Sequence, residues 1–161
     1  MIWMPSEMPK QDKIVITDAS CFILLDKIGG LDLLNSLYKH IITTPEIAAE
    51  YKKRLPEWVE VKAVTNRDLL YNYAETVDIG EASALALAVE IRADLLIIDD
   101  AGARKFAQKL HFNITGTVGI ILNAKLEGII PLIKPYISKI QQTNFRISDW
   151  LIDQLLNEAG E

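Results

Sequence analysis

Short apolar runs rich in β-branched residues recur along the chain and constrain its fold more than any other feature. Three of them stand out: Lys13–Thr17, Ile41–Thr43 and Leu95–Ile98. Apolar runs of this length are typical of strands buried in the core of a sheet. Segments with helical features separate them, among them the Ala- and Leu-rich stretch Glu81–Ile91, which is apolar almost all round. Short buried strands that alternate with helices predict right-handed βαβ units and a parallel, doubly wound sheet, an α/β fold.

Turn and capping residues divide the rest of the chain into further elements. The additional predicted strands are Val59–Val64 and Phe112–Ile114. The additional predicted helices are Ala19–Ile28, Leu31–Lys39, Pro45–Arg54, Asp68–Ala74, Ala101–Leu110 and Val118–Leu126, with outer helices near Pro131, Pro135 and the amphipathic Ile147–Leu156. We expect residues 1–12 to form a flexible N-terminal tail and residues 13–161 to form a single domain.

Composition narrows the class of protein. Half of the 161 residues are hydrophobic and 24% are charged, which fits one soluble globular domain. The net charge of -5 argues against a broad basic surface for nucleic acid, but not against a nuclease whose metal meets the phosphate. A single cysteine, Cys21, excludes an internal disulfide and a multi-cysteine metal site. No apolar run is long enough to span a membrane and no signal peptide is evident, so we expect a cytoplasmic protein without membrane contact.

Carboxylates follow the predicted strands at the points where the strands end. Asp18 follows the first strand, and Asp99 and Asp100 follow the Leu95–Ile98 strand. Glu50 lies on the helix after Ile41–Thr43, and Glu81 begins the buried helix. In doubly wound parallel sheets, ligands bind beyond the carboxyl ends of the strands. The sequence therefore predicts a group of acids at the edge where a ligand binds.

Two interpretations apply to each of these acids. Taken singly, Asp18, Asp99 or Asp100 could cap the helix that follows, and Glu81 fits a capping box with Asp78. Capping needs one carboxylate per helix, however, and clustered carboxylates repel unless a cation neutralises them. An oxygen-only donor set suits Mg²⁺ or Mn²⁺. On the next helix, the apolar face favours Glu50 over Glu46 as the residue that leans over the sheet edge.

Several short motifs, taken in order, resemble a known family. They are Thr17-Asp18-Ala19-Ser20, Pro45 with Glu50, the stretch from Gly80 to Ala88, Ile97-Ile98-Asp99-Asp100 with Ala103-Arg104, and the stretch from Thr115 to Ile121. Together they resemble a PIN domain of the DUF3368 branch, which is related to the VapC-type toxins of toxin–antitoxin pairs. The resemblance covers about residues 14–128. It implies a PIN-like three-layer α/β/α sandwich with a mostly parallel sheet and an Mg²⁺- or Mn²⁺-dependent endoribonuclease.

The resemblance also implies roles for individual residues. Asp18, Glu50, Glu81 and Asp100 match the acidic quartet of the family, and we expect Asp18, Asp100, Glu81 and Asp99 to hold the metal. This chain has Glu81 where many relatives have Asp, and Ile98 where many have a hydroxyl residue, so we expect Asp99 to take over part of that polar role. Thr17, Ser20 and Thr117 either hydrogen-bond to the ligand carboxylates or to bound waters, or act only as caps and turn residues, with a helix N-cap favoured for Thr117. Arg104 and Lys105 either contact phosphates or lie on a solvated helix face.

The resulting function prediction is the toxin ribonuclease of a toxin–antitoxin pair, a hydrolase with RNA as substrate. A cognate antitoxin protein would be its partner, and the resemblance implies a homodimer. The alternative is a catalytically weak or inactive PIN-like module whose acidic pocket docks a basic segment of a partner. Segments Ile129–Ile140 and Ile147–Leu156 supply either an interface or part of the core.

Overall fold

Five parallel strands form the sheet at the centre of the computed structural model, which describes residues 10–161. They are β1 (Gln11–Thr17), β2 (Tyr38–Thr43), β3 (Val59–Val61), β4 (Leu95–Ile97) and β5 (Ile114–Thr115), in the order β3-β2-β1-β4-β5. All four pairings are parallel. The chain builds outward from β1 in one direction and then in the other, so the strand order reverses between β1 and β4. Such a reversal is where doubly wound sheets bind ligands.

Helices connect the strands and cover both faces, giving the three-layer α/β/α sandwich expected from the sequence. Their bounds are α1 (Ala19–Lys27), α2 (Asp32–Leu37), α3 (Pro45–Tyr51), α4 (Arg67–Tyr73), α5 (Ile79–Ile91), α6 (Ala101–Lys109), α7 (Thr117–Leu126), α8 (Lys134–Gln141) and α9 (Asp149–Ala159). The core includes Ile16 and Leu96 from the sheet and Phe22 and Leu85 from α1 and α5, all fully buried. No helix in the described residues is both long and apolar enough to cross a membrane.

Several boundaries differ from the sequence predictions by a few residues, because the ends of strands and helices depend on pairing and packing between distant residues. Residues 1–9 of the predicted tail lie outside the described residues, whereas Gln11 and Asp12 belong to β1. The predicted helix Leu31–Lys39 ends at Leu37, because the backbone of Tyr38 already pairs with β1. Helix α3 ends at Tyr51 rather than Arg54, because Lys52 adopts a left-handed conformation with a φ of 64°. The two helices end earlier than predicted for different reasons, since the backbone of Tyr38 pairs with β1 and that of Lys52 leaves the helical conformation.

Candidate metal centre at the carboxyl edge of the sheet

Asp18 lies at the end of β1 and joins two strands of the sheet. Its Oδ1 accepts a hydrogen bond from the N–H of Cys21 at 2.8 Å and so caps α1. Its Oδ2 accepts from the N–H of Asp99, just beyond β4, at 3.0 Å. The residue is only 4% exposed. The capping interpretation is therefore right for one of its oxygens, while the other holds the end of β4 in place.

Asp99 and Asp100 are adjacent in sequence but have different partners. The Oδ2 of Asp100 accepts from the N–H of Ala103 at 2.9 Å, so Asp100 caps α6. Asp99 accepts from the N–H of Thr117 at 2.8 Å and from its hydroxyl at 2.6 Å, both at the start of α7. One acid thus begins its own helix, and the other holds a helix distant in sequence.

Glu50 and Glu46 both lie on α3, but their carboxylates have different surroundings. Glu50 lines the pocket beyond β1 and β4. Both of its carboxylate oxygens lie 3.6 Å from the position that a Cβ on Gly80 would occupy, close to the N-terminus of α5. Glu46 instead pairs with Arg67 at 3.2 Å. A buried hydrogen bond holds the two helix starts together, since the Thr44 and Ser83 hydroxyls lie 2.6 Å apart.

Glu81 lies in the first turn of α5, in the capping box predicted for it. Its N–H donates to the Oδ1 of Asp78 at 2.8 Å, and its Oε2 accepts from the N–H of Asp78 at 3.4 Å. The second of these bonds is long, so it restrains the Glu81 carboxylate weakly. Asp78 is brought to the same pocket by this arrangement.

Six carboxylates line one pocket of about 470 Å³ at this edge: Asp18, Glu50, Asp78, Glu81, Asp99 and Asp100. No lysine, arginine or histidine is among the lining residues within the described chain. Burial, with repulsion from Asp99, raises the pKa of Asp18 from 3.8 to about 7. Burial, with repulsion from Asp78 and Asp100, raises the pKa of Glu81 from 4.5 to about 7. The pocket therefore concentrates negative charge that this part of the chain does not neutralise.

The donor set of this pocket fits a divalent cation that prefers oxygen ligands, such as Mg²⁺ or Mn²⁺. A cation there would offset the repulsion that, together with burial, raises the two pKa values. However, no three acidic, histidine or cysteine side chains in residues 10–161 are already arranged as a closed ligand cluster. The bonds described above give a reason: Asp18 and Asp99 each have both oxygens engaged with N–H or hydroxyl donors. The acids share a pocket without converging on one point.

A family model described as DUF3368, a PIN domain, matches residues 14–161. The chain belongs to this PIN domain family. The match extends beyond the residues that carry the resemblance in sequence and includes α8 and α9. No curated protein shows significant similarity to the chain. PIN domains are generally nucleases, so the acidic pocket lies in a fold whose usual activity is phosphodiester hydrolysis.

Of the three hydroxyl residues singled out from sequence, one bonds to a site carboxylate in this PIN domain. Thr117 donates to Asp99 through both its N–H and its hydroxyl. The alternative that Thr117 is the N-cap of α7 is wrong, because Gly116 occupies that position. The Thr17 hydroxyl is buried and has no hydrogen-bond partner among the described residues, so the predicted bond to a carboxylate is not present. Ser20 is exposed and lines the pocket.

The two basic residues expected near phosphate lie beside the acidic pocket. Arg104 and Lys105 line a neighbouring cleft. One guanidinium nitrogen of Arg104 donates to the backbone oxygen of Ile98 at 3.0 Å, which fixes the side chain against the end of β4. Gly116 permits this approach, because a Cβ there would lie 2.8 Å from both Arg104 Nη1 and Asp99 Oδ1.

Sequence reasoning missed three residues of the PIN domain pocket. Asp78 was assigned only a capping role, although its position three residues before Glu81 places it at the same helix start. Ile23 lines the pocket from α1, one turn and a half after Asp18. Phe145 lines it from the loop between α8 and α9, where no strand end or cap marks it in the sequence.

Proposed function

We propose that this PIN domain is a metal-dependent endoribonuclease that hydrolyses RNA phosphodiester bonds with Mg²⁺ or Mn²⁺. The observation that carries the proposal is the group of six carboxylates in one pocket where the strand order reverses. Within residues 10–161 no basic side chain neutralises that pocket. The negative pocket would repel a phosphate unless bound cations compensated the charge of the carboxylates. Membership of a family of nucleases supports the assignment to phosphodiester chemistry.

Five of the six carboxylates have a proposed role. Asp18 and Asp100 would hold the metal, with Glu81 and Asp99 as further ligands. A bound divalent ion lowers the pKa of water and offsets charge on the phosphoryl oxygens. One of the two glutamates, Glu50 or Glu81, would orient the attacking water for in-line displacement. Because Asp18 is fixed by two backbone N–H groups, it needs little reorganisation during the reaction.

The test is cleavage of a mixed RNA pool with Mg²⁺ or Mn²⁺, with a chelator as the metal-free control. Asp18→Asn and Glu50→Gln each remove a pocket carboxylate and are expected to lower the rate on the order of 100-fold. Glu46→Gln is the matched control for Glu50→Gln, since it lies on the same helix but pairs with Arg67 outside the pocket. It should cleave at nearly the wild-type rate.

The alternative function is a binding module that docks a basic partner segment in the same acidic pocket. The uncompensated carboxylates favour this alternative too, because an arginine side chain would neutralise them. Folded protein that binds Mn²⁺ but cleaves no RNA, even at high concentration, would reject the ribonuclease proposal and favour the module.

The cellular role that we propose is the toxin of a toxin–antitoxin pair, acting in the cytoplasm as a homodimer. Production of the wild type should arrest growth, and production of Asp18→Asn should not. Helices α8 and α9 supply buried side chains to the core, among them Ile137, Ile140 and Leu155. Trp150 of α9 is 70% exposed and is available to an interface. Sedimentation of Trp150→Ala against wild type tests whether this helix face holds the dimer together.

A further inference from the structure

A second cleft adjoins the acidic pocket and has the opposite charge. It has a volume of about 710 Å³ and lies between α6, the start of α7 and the segment that leads into α9. Asp99 and Phe145 line both cavities, so the two form one continuous surface. Three basic residues, Arg104, Lys105 and Arg146, line the cleft. The chain as a whole is acidic, with 17 lysine and arginine residues against 22 aspartate and glutamate residues. Three cations in one cleft therefore stand out against the charge of the whole molecule.

These three cations are available to a ligand. Lys105 and Arg146 are exposed, and neither forms an ion pair with an acidic side chain of residues 10–161. Arg104 uses one N–H to bond Ile98, which holds its guanidinium in place and leaves its other N–H groups free of that bond. Within residues 10–161, Asp99 is the one acid that lines the cleft, and both of its oxygens are engaged by Thr117. The cleft therefore offers net positive charge to an anion.

Phe145 lies at the boundary between the two cavities and is only partly buried. The N–H of Phe145 donates to the Thr143 hydroxyl at 3.1 Å. An aromatic ring beside a row of cations is the combination that proteins use for single-stranded nucleic acid, where bases stack and phosphates pair. A purely acidic peptide would use the cations but would gain little from the ring.

We propose that this cleft, formed by Arg104, Lys105 and Arg146, binds the phosphate backbone of single-stranded RNA next to the bond that is cut, and that Phe145 stacks on the base at the boundary. This inference rests on the proposed function, because the bond that is cut is assigned to the acidic pocket. The strand would pass from the acidic pocket, over Phe145, into the basic cleft.

Binding, measured separately from cleavage, tests the phosphate contacts. Fluorescence anisotropy of a labelled single-stranded RNA of about 12 nucleotides gives the affinity for the Asp18→Asn protein, so that cleavage does not interfere. Each phosphate contact contributes about 0.7 to the slope of log affinity against log salt. Adding Lys105→Ala and Arg146→Ala should reduce that slope by about 1.4.

Lys27 and Lys109 provide the matched control for this pair. They are exposed and close α1 and α6, the two helices that start at Asp18 and Asp100, and so lie towards the opposite edge of the sheet. Replacing both with alanine removes the same charge and should leave the slope nearly unchanged. Equal loss of slope in the two double variants would overturn the proposal, because the binding would then depend on overall charge alone.

Substitutions of Phe145 distinguish stacking from packing. Phe145→Leu retains an apolar side chain without a ring face and should weaken RNA binding at least about 5-fold without changing the salt slope. Phe145→Trp retains the stacking surface and should bind as tightly as the parent protein. A Phe145→Leu protein that binds as tightly as the parent would overturn the stacking role.

The two proposals fail in different ways. RNA binding that depends on the cleft residues, without any cleavage by the wild type, would reject the ribonuclease and leave the RNA cleft standing. If the wild type cleaves RNA but substitution of Lys105, Arg146 and Phe145 leaves RNA binding unchanged, the cleft proposal is rejected and the ribonuclease proposal stands. Poly-glutamate that competes as well as unlabelled RNA would also overturn it, since the cleft would then recognise any polyanion.

Discussion

Removing the negative charge of Asp18 should stabilise the metal-free protein at high pH and not at low pH. The pKa of this carboxyl is 3.8 ordinarily and about 7 in the folded protein. A pKa raised by folding means that the folded state resists ionisation of the group. Stability from this group is therefore highest below about pH 4, falls as the pH rises to about 7, and is constant above that.

The size of this change in stability follows from the difference between the two pKa values of Asp18. At about 1.4 kcal/mol per pKa unit, the difference between 3.8 and about 7 corresponds to about 4 kcal/mol of lost stability at high pH. Asparagine has nearly the same shape, and its oxygen can still accept from Cys21. Its NH₂ group cannot accept from the N–H of Asp99, which costs about 1 kcal/mol. Asp18→Asn should thus be about 3 kcal/mol more stable than wild type at about pH 8, and about 1 kcal/mol less stable below about pH 4.

Urea denaturation followed by circular dichroism, with chelator present, measures both differences. Asp153→Asn on the exposed side of α9 is the control, and its effect should stay within about 0.5 kcal/mol at either pH. An Asp18→Asn protein that is less stable than wild type at about pH 8 would refute the reasoning. It would mean that the two N–H donors compensate the buried charge in full.

Three further outcomes are expected. Excess Mg²⁺ should raise the melting temperature of the wild type more at about pH 8 than at about pH 5, because ligand carboxylates must lose their protons; equal shifts would contradict a carboxylate site. Thr117→Val removes the hydroxyl that holds Asp99 and should lower the free energy of unfolding by about 2 kcal/mol, whereas Thr117→Ser should be nearly neutral. Gly119→Ala would place a Cβ against the Thr115 hydroxyl and should lower the free energy of unfolding by about 1 to 3 kcal/mol. Adding Thr115→Ala to the same chain removes that hydroxyl and should recover most of the lost stability. Chemical denaturation measures the effects of the Thr117 and Gly119 substitutions. A double variant that is no more stable than Gly119→Ala would exclude the clash with the Thr115 hydroxyl as the cause.

The fold was largely predictable because its signals are local. Apolar runs mark β1, β2 and β4, and the Ala-rich helix α5 is buried over most of its length, as its composition predicts. The helix ends were less predictable, since a pairing between distant residues decides them. Tyr38 leaves the helical conformation because a partner on β1, far back in the chain, is available to its backbone.

The site shows the same division between local and distant effects. Asp18 and Asp100 could be assigned to one edge because they follow parallel strands. The separate roles of Asp99 and Asp100 could not be predicted, because the partner of Asp99 is Thr117, whose position depends on how α7 packs after β5. Phe145 could not be predicted either, since it reaches the pocket only through the packing of α8 and α9.

The two backbone N–H groups that donate to Asp18 can report on the state of its carboxylate. The N–H of Cys21, in α1, and the N–H of Asp99, just after β4, both donate hydrogen bonds to this carboxylate. An ionised acceptor makes a shorter and stronger hydrogen bond than a neutral one. The nuclear magnetic resonance signals of these two amides therefore record whether Asp18 carries a proton, a cation or neither. Each step of a titration can be followed at two backbone positions without adding a label to the pocket itself.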